Sequence, residues 1–391
     1  MHHQPRPIAR PFWSPGTLVM LGLMLAGGVA LVARYTGGLG YVTHLSNTTP
    51  WGIWIGIDVA SGVALAAGGF TTAAVAHIFG RHHYEAVTRP ALLTAALGYT
   101  FVAFGVFLDI GRSWAIWKPM FHMNFNSALF EVAMCVMAYL TVLWIEMVPI
   151  LASRLGERIP LLAWLDRKLN TFMWVFIILG VVLSCMHQSS LGTLLVIAPT
   201  KMHPLWYTQF MPLLFLLSAF AVGYPMVIVE TTVATTSLRL DGEMDVLAPL
   251  SRYTIVLLGL YLALKVIDLS ARGAWGLAFD GSVQANSFLV ELGLGVILPW
   301  VLLLFPSVRR NRRGLFLAGL LIVLGVLLNR FNVFVTAFTP QTGTAPYYPA
   351  MGEIIITVGA AATIMFLYRL FVTRLDVISA PDLDDHKEVA S

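Results

Sequence analysis

The sequence predicts an all-α polytopic membrane protein of about ten transmembrane helices, two parallel-repeated four-helix bundles plus two peripheral helices. Three observations predict this class. The first is composition: of 391 residues, 58% are apolar and 11% charged, and the mean hydropathy is +0.79. A soluble domain of this size carries far more charge. The second is that long apolar runs recur, each near the ~20 residues a bilayer core demands. Their backbone must be helical, because lipid offers no partner to an open peptide group. The third is an internal echo. Leu108-Asp109-Ile110-Gly111-Arg112 is followed by Ile267-Asp268-Leu269-Ser270-Ala271-Arg272, and Asn126-Ser127-Ala128-Leu129-Phe130-Glu131 by Asn286-Ser287-Phe288-Leu289-Val290-Glu291. Both echoes keep nearly one offset, as a duplicated helical unit would.

In chain order the spans fall roughly at 17–34, 51–79, 89–110, 126–150, 170–188, 207–235, 249–270, 286–306, 314–338 and 350–374. The lead-in MHHQPRPIARPFWSPG has no cleavage-site pattern after its apolar run and reads as a cytoplasmic start to a retained span. Thr49-Pro50-Trp51 opens the second span, and His203-Pro204-Leu205-Trp206 opens the sixth. The first bundle is therefore 51–188 and the second 207–338, within a single membrane domain 1–391. Four crossings return the chain to its starting side, so the bundles would share one orientation. The polar segment 375–391 is expected to be a flexible cytoplasmic tail.

Lys and Arg set the orientation. Most of the 24 sit in segments on the side of the N-terminus, whereas the opposite loops hold only Arg34, Arg112, Lys118, Lys201 and Arg272. That bias places both termini in the cytoplasm. The outer loops are aromatic instead, with Trp51, Trp54, Trp114, Trp117, Phe121, Trp206 and Trp275. Such rings form either an interfacial belt or a docking surface for an outer-side protein.

Ionisable groups within spans are costly and normally face a partner, water or the bundle interior. In the first bundle Asp58, Glu131 and His187 are expected at one depth beneath the outer face, with Tyr99 below them and Glu146 and Glu230 deeper. Two carboxyls and an imidazole in one low-dielectric pocket would exchange protons with a reducible ligand. Singly, each has a blander reading: Glu131 as a helix staple, His187 as a helix-end polar residue, Tyr99 as belt or core. In the second bundle Lys265 and Arg330 are expected to neutralise Asp268, Glu291 and Glu353, and Asp109 to pair with Arg112.

Several cofactors are excluded on spacing. Cys135 and Cys185 lie in apolar spans without a cluster-binding pattern. No metal-ligand spacing appears. A b-type haem needs two axial histidines at similar depth on facing helices, and only His187 lies convincingly inside the core, so no haem is expected. The sequence pI of 9.1 does not indicate nucleic-acid binding, because the basic residues cluster at span ends.

Tyr99, the 108–112 segment, Asn124-Phe125-Asn126-Ser127 with Glu131, and above all Met186-His187-Gln188-Ser189-Ser190-Leu191-Gly192 followed by His203-Pro204-Leu205-Trp206 converge on a family. The chain resembles the HybB branch of the NrfD/polysulfide-reductase membrane-subunit family, the integral membrane subunits of hydrogenase-2 type. The resemblance implies a quinone-reactive subunit, with menaquinone or ubiquinone as substrate. It implies as partners a periplasmic ferredoxin-like iron–sulfur subunit and, through it, a nickel–iron hydrogenase. By motif it carries quinone and proton roles onto Tyr99, Glu131, His187 and Glu230, with Asp58 in support. Other readings remain: an anchor for a polysulfide, nitrite or multihaem enzyme, a passive docking anchor, or a secondary transporter. A transporter would place its polar groups at a midplane site, whereas here they gather toward one face.

Overall fold

The computed structural model describes residues 5–240, 244–339 and 347–379. Among the described residues, ten helices are long and apolar enough to cross a membrane. They are α1 (Pro15–Gly37), α2 (Trp54–Ile78), α3 (Glu85–Asp109), α4 (Ala128–Leu155), α5 (Met173–Val196), α6 (Met211–Leu238), α7 (Met244–Ala271), α8 (Val283–Leu304), α9 (Arg312–Thr336) and α10 (Met351–Arg374). No named strand occurs among the described residues, only two isolated bridges.

Side-chain oxygens fix several starts. Ser14, Ser127, Ser282 and Asn311 each accept a bond from a first-turn backbone N–H of α1, α4, α8 and α9, satisfying donors that a helix start leaves open. The second echo is therefore shifted against its helix. Ser127 caps α4, but Asn286-Ser287 lies inside α8, whose cap is Ser282.

Helices α2 to α5 touch in a closed ring, and α6 to α9 close another. The rings meet through α6, which packs on α2 and α5, and through α9, which packs on the start of α2. Helices α1 and α10 pack on each other at the periphery, where Gly27 and Gly359 approach so closely that a Cβ on Gly27 would stand 3.0 Å from the Gly359 Cα. Widened, π-helical turns occur in α2 (Trp54–Ser61 and Ala74–Ile78), α8 (Gly293–Ile297) and α9 (Asn332–Thr336). The last two directly follow the turns that carry Glu291 and Arg330, and the first contains Asp58.

Two boundaries differ from expectation. Helix α5 continues to Val196 instead of ending near 188. The run Gln188-Ser189-Ser190 looks like an exit from hydrocarbon, yet Gln188 and Ser190 are buried in the bundle and their donors find partners there. Gln188 Nε2 donates to Val63 O (2.9 Å), and Ser190 Oγ lies 2.8 Å from Met186 O. The tail is not free from 375 onward. Leu375, Val377 and Ile378 are buried, and Arg6 N donates to Ile378 O. The rest of the expected tail, 380–391, lies outside the described residues.

Candidate functional site

The first ring holds a buried imidazole–phenol pair. His187 lies nine residues before the end of α5 and Tyr99 ten before the end of α3, about 13–15 Å along each helix. At that matching depth Tyr99 Oη and His187 Nδ1 stand 3.1 Å apart, and neither residue is exposed. Tyr139 of α4 meets the Tyr99 ring edge to face, with centroids 4.5 Å apart. Around this pair the polar atoms are left open. His187 Nε2, Tyr139 Oη and Ser184 Oγ are buried without a hydrogen-bond partner. Orphans of this kind are costly in a folded interior and call for an explanation. Below them, Tyr139 and Glu146 line a small cavity with room for about one water molecule.

Glu131 stands above the pair. It is in the first turn of α4 and exposed, and Ser190 Oγ donates to its Oε1 at 2.5 Å. Ser190 follows His187 by three residues on α5, so one helix face carries the imidazole and the serine that holds the carboxylate. Leu129 of α4 and Val182 and Met186 of α5 are exposed apolar side chains.

The expected single pocket of Asp58, Glu131 and His187 does not form. Asp58 turns to the other side of α2, where Thr357 of α10 donates to its Oδ2 at 2.8 Å and Gly105 of α3 leaves it space. The π-helical winding of Trp54–Ser61 shifts the face that a regular 3.6-residue period would assign. His187 is also deeper than expected, because α5 runs on past it. Glu230 lies apart from both, beside Thr94 of α3 and Tyr368 of α10, with its Oε1 buried and without a hydrogen bond. The structure thus brings Tyr99 and His187 together, sets Glu131 one turn outward, and leaves Asp58 and Glu230 elsewhere. Tyr139 and Ser184 were not singled out from sequence, and Ser190 entered only as part of the run that carries the resemblance. Their signal is helical spacing: Tyr139 is eight residues from Glu131, and Ser184 and Ser190 flank His187 by three.

The second ring departs from expectation in its pairings. Glu291 is buried and accepts from three neutral donors: Trp206 Nε1 (2.9 Å), Asn329 Nδ2 (2.6 Å) and Asn332 Nδ2 (2.9 Å). Asp268 binds Arg272, Nη2 to Oδ2 at 2.6 Å, and accepts from Thr208. Lys265 and Arg330 therefore make no hydrogen bond to these acids, although Glu291 lies within electrostatic reach of both and Asp268 within reach of Lys265. Glu353 belongs to neither ring; it accepts from His44 N and from the Tyr347 hydroxyl at the start of α10. Asp109 does not pair with Arg112, which is exposed. Asp109 Oδ1 is buried without a hydrogen bond, near Arg34, whose guanidinium is spent on the Leu108 and Ile110 carbonyls.

The outer aromatics divide into two kinds. Trp54 and Trp206 are core residues, whereas Trp114, Phe121 and Phe125 are 72%, 74% and 82% exposed. The 113–125 loop is thus an apolar outward surface. His203, outside the spans, is held below the usual histidine pKa by partial burial, and its Nδ1 accepts from Leu205 N.

Comparison with known proteins fits this architecture. The family described as "Polysulphide reductase, NrfD" matches residues 41–340. An Escherichia coli protein named "Probable Ni/Fe-hydrogenase 2 b-type cytochrome subunit" is 34% identical over 99% of this chain and 98% of its own. A Nitratidesulfovibrio vulgaris protein named "Menaquinone reductase, integral membrane subunit" is 27% identical over 91% of this chain and 90% of its own. A selenate reductase subunit of Mesobacillus selenatarsenatis is 21% identical over 85% of this chain and 83% of its own.

The first of these names overturns one expectation. Histidine spacing argued that no haem is bound, yet a relative aligned over nearly the whole chain is named a b-type cytochrome. Spacing alone therefore does not exclude haem from such a chain. Tested against the side chains, His187 Nε2 is buried and open to a ligand. The other described span histidine, His77, sits exposed at the far end of α2. Among the described residues these do not build a bis-histidine site. With its match over residues 41–340, its ten spans and its relatives among hydrogenase and reductase membrane subunits, the chain belongs to the NrfD family and is a multi-pass membrane subunit of the kind found in redox complexes.

Proposed function

We propose that this chain is the quinone-reactive subunit of a respiratory complex in the bacterial inner membrane, with both termini cytoplasmic. Its outer-side partners are a periplasmic ferredoxin-like iron–sulfur subunit and, through it, a nickel–iron hydrogenase. The observation that carries the reading is the Tyr99–His187 pair, with His187 Nε2 unpartnered and the Ser190–Glu131 contact one turn outward. The names of the E. coli hydrogenase-2 and N. vulgaris menaquinone reductase subunits support it.

In this reading a quinone enters from lipid at the α4–α5 seam, its headgroup lodging between Glu131 and His187. His187 is fully buried, so the headgroup reaches Nε2 by parting the seam. Two electrons arrive from the outer-side partner docked on the 113–125 loop. Each reduced oxygen takes one proton, one from Glu131 and one through His187, which Tyr99 holds at Nδ1. The ring nitrogens then have distinct tasks, one fixed and one reactive. The deep Tyr139–Glu146 cavity and Glu230 are candidate stations on a proton route from the cytoplasmic side.

The test is a pair of assays on the purified complex. Glu131→Gln should abolish hydrogen-driven quinone reduction while hydrogen-driven dye reduction is unchanged. Unaltered quinone reduction removes Glu131 from the reaction. A second reading keeps the docking role and drops the chemistry. Exposure of Trp114, Phe121 and Phe125 favours it equally, and normal quinone reduction in both Glu131 and His187 variants would select it.

A further inference from the structure

The structure assigns a small-anion site to the core of the second ring, between Lys265 of α7 and Arg330 of α9. This inference stands independently of the quinone reading. Both residues are buried, with 2% and 1% exposure, and both line one small cavity together with Tyr261 and Asn329. The cavity has room for about one water-sized particle.

Apart from the Tyr261 hydroxyl, which both donates and accepts, the open polar groups of its lining are donors. The Lys265 ammonium contributes only donors, and Arg330 Nε is buried without a hydrogen-bond partner. The acceptor that Asn329 could offer is taken: its Oδ1 receives Arg330 Nη1 at 2.7 Å, and its Nδ2 is spent on Glu291. The remaining guanidinium nitrogen donates to Ser218 Oγ and the Phe215 carbonyl, with the Phe215 ring 3.7 Å beneath the guanidinium carbon. Lys265 Nζ lies over the Phe288 ring at 5.4 Å, a contact that softens its burial without neutralising it.

The nearby carboxylates leave one positive charge over: Asp268 is shared between Lys265 and its ion-pair partner Arg272, and Glu291 is the one carboxylate within electrostatic reach of both Lys265 and Arg330. Glu291 is saturated by three neutral N–H donors, and Asp268 is bound by Arg272. Two buried cations facing one cavity, with one carboxylate between them and no free acceptor on the Asn329 side, ask for a negative occupant. The size of the cavity restricts that occupant to a monatomic or hydroxide-sized anion. Chloride is the available member of that class, and bromide is its readable substitute.

The experiment uses the purified full-length protein in detergent, exchanged into gluconate and titrated with bromide at constant ionic strength. A saturable rise in the thermal midpoint of about 2 °C or more is expected. Bromine anomalous density is expected between Lys265 Nζ and Arg330 Nε. Lys265→Met should remove the halide-dependent rise and Lys265→Arg should retain it. A midpoint indifferent to halide, or a cavity without bromine density at saturation, overturns the site. A rise of equal size in Lys265→Met overturns the role of Lys265. If Lys265→Met does not fold, the wild-type density decides alone.

Discussion

The two rings of four helices carry matching acids and use them oppositely. Glu131 follows its helix cap, Ser127, by four residues; Glu291 follows its cap, Ser282, by nine. The five-residue difference sinks Glu291 about 7 Å further along its helix. There it is buried and closed off by Trp206, Asn329 and Asn332. Glu131 stays exposed, with one serine partner. The neighbouring groups follow suit. In the first ring the imidazole, the Tyr139 phenol and a serine have open valences, whereas in the second Glu291 and Asp268 are satisfied, and the open atoms there include Arg330 Nε and, toward the other end of α6, Glu230 Oε1. A saturated carboxylate holds a fold, and an under-satisfied one can exchange protons. Under the proposed function, the difference between the rings is one of function against scaffold, built from similar residue patterns.

The largest effect should come from opening the satisfied side. Glu291→Leu leaves three buried donors without an acceptor, at a cost of roughly 3 kcal/mol or more. It should lower the yield of folded protein and its thermal midpoint, while any complex that assembles retains quinone activity. Survival of full stability would break the comparison at its scaffold half. Next in size, His187→Leu should cut quinone reduction by about 100-fold or more with little change in the thermal midpoint. A stability loss as large as that of Glu291→Leu would place His187 among the scaffold groups instead.

Tyr99→Phe removes one buried hydrogen bond to His187, worth about 1 kcal/mol. Quinone reduction should fall about tenfold, measured as hydrogen-driven turnover against unchanged dye reduction. Asp58→Asn should have the smallest effect, a change in turnover of less than about twofold, because a neutral amide still accepts from Thr357. A loss as deep as that of Glu131→Gln would put Asp58 back at the reacting centre.

Much of this was legible in the residues, and what was not has physical causes. Apolar run length located all ten spans, since crossing a bilayer is a one-dimensional constraint. Tyr99 and His187 could be drawn to one region because each stands out in an apolar helix. Which way Asp58 faces was hidden, because the π-helical turns at 54–61 break the regular period. The depth of His187 was misjudged because Gln188 and Ser190 look solvent-facing until Val63 O, Met186 O and Glu131 are known to receive them. The partners of Lys265 and Arg330 were misassigned for a related reason. Opposite charges at similar depth suggest ion pairs, yet neutral amides and an indole reached Glu291 first. The haem expectation failed because spacing in one chain tests only the ligand geometry it assumes.

The most direct measurement is a structure of the assembled complex with quinone, or a quinone-site inhibitor, bound. The account predicts a headgroup oxygen within about 3.2 Å of His187 Nε2, the ring lying beneath Glu131 at the α4–α5 seam, and Tyr99 still on Nδ1. A headgroup bound elsewhere, with the Tyr99–His187 pair undisturbed and His187 Nε2 still unpartnered, would contradict it.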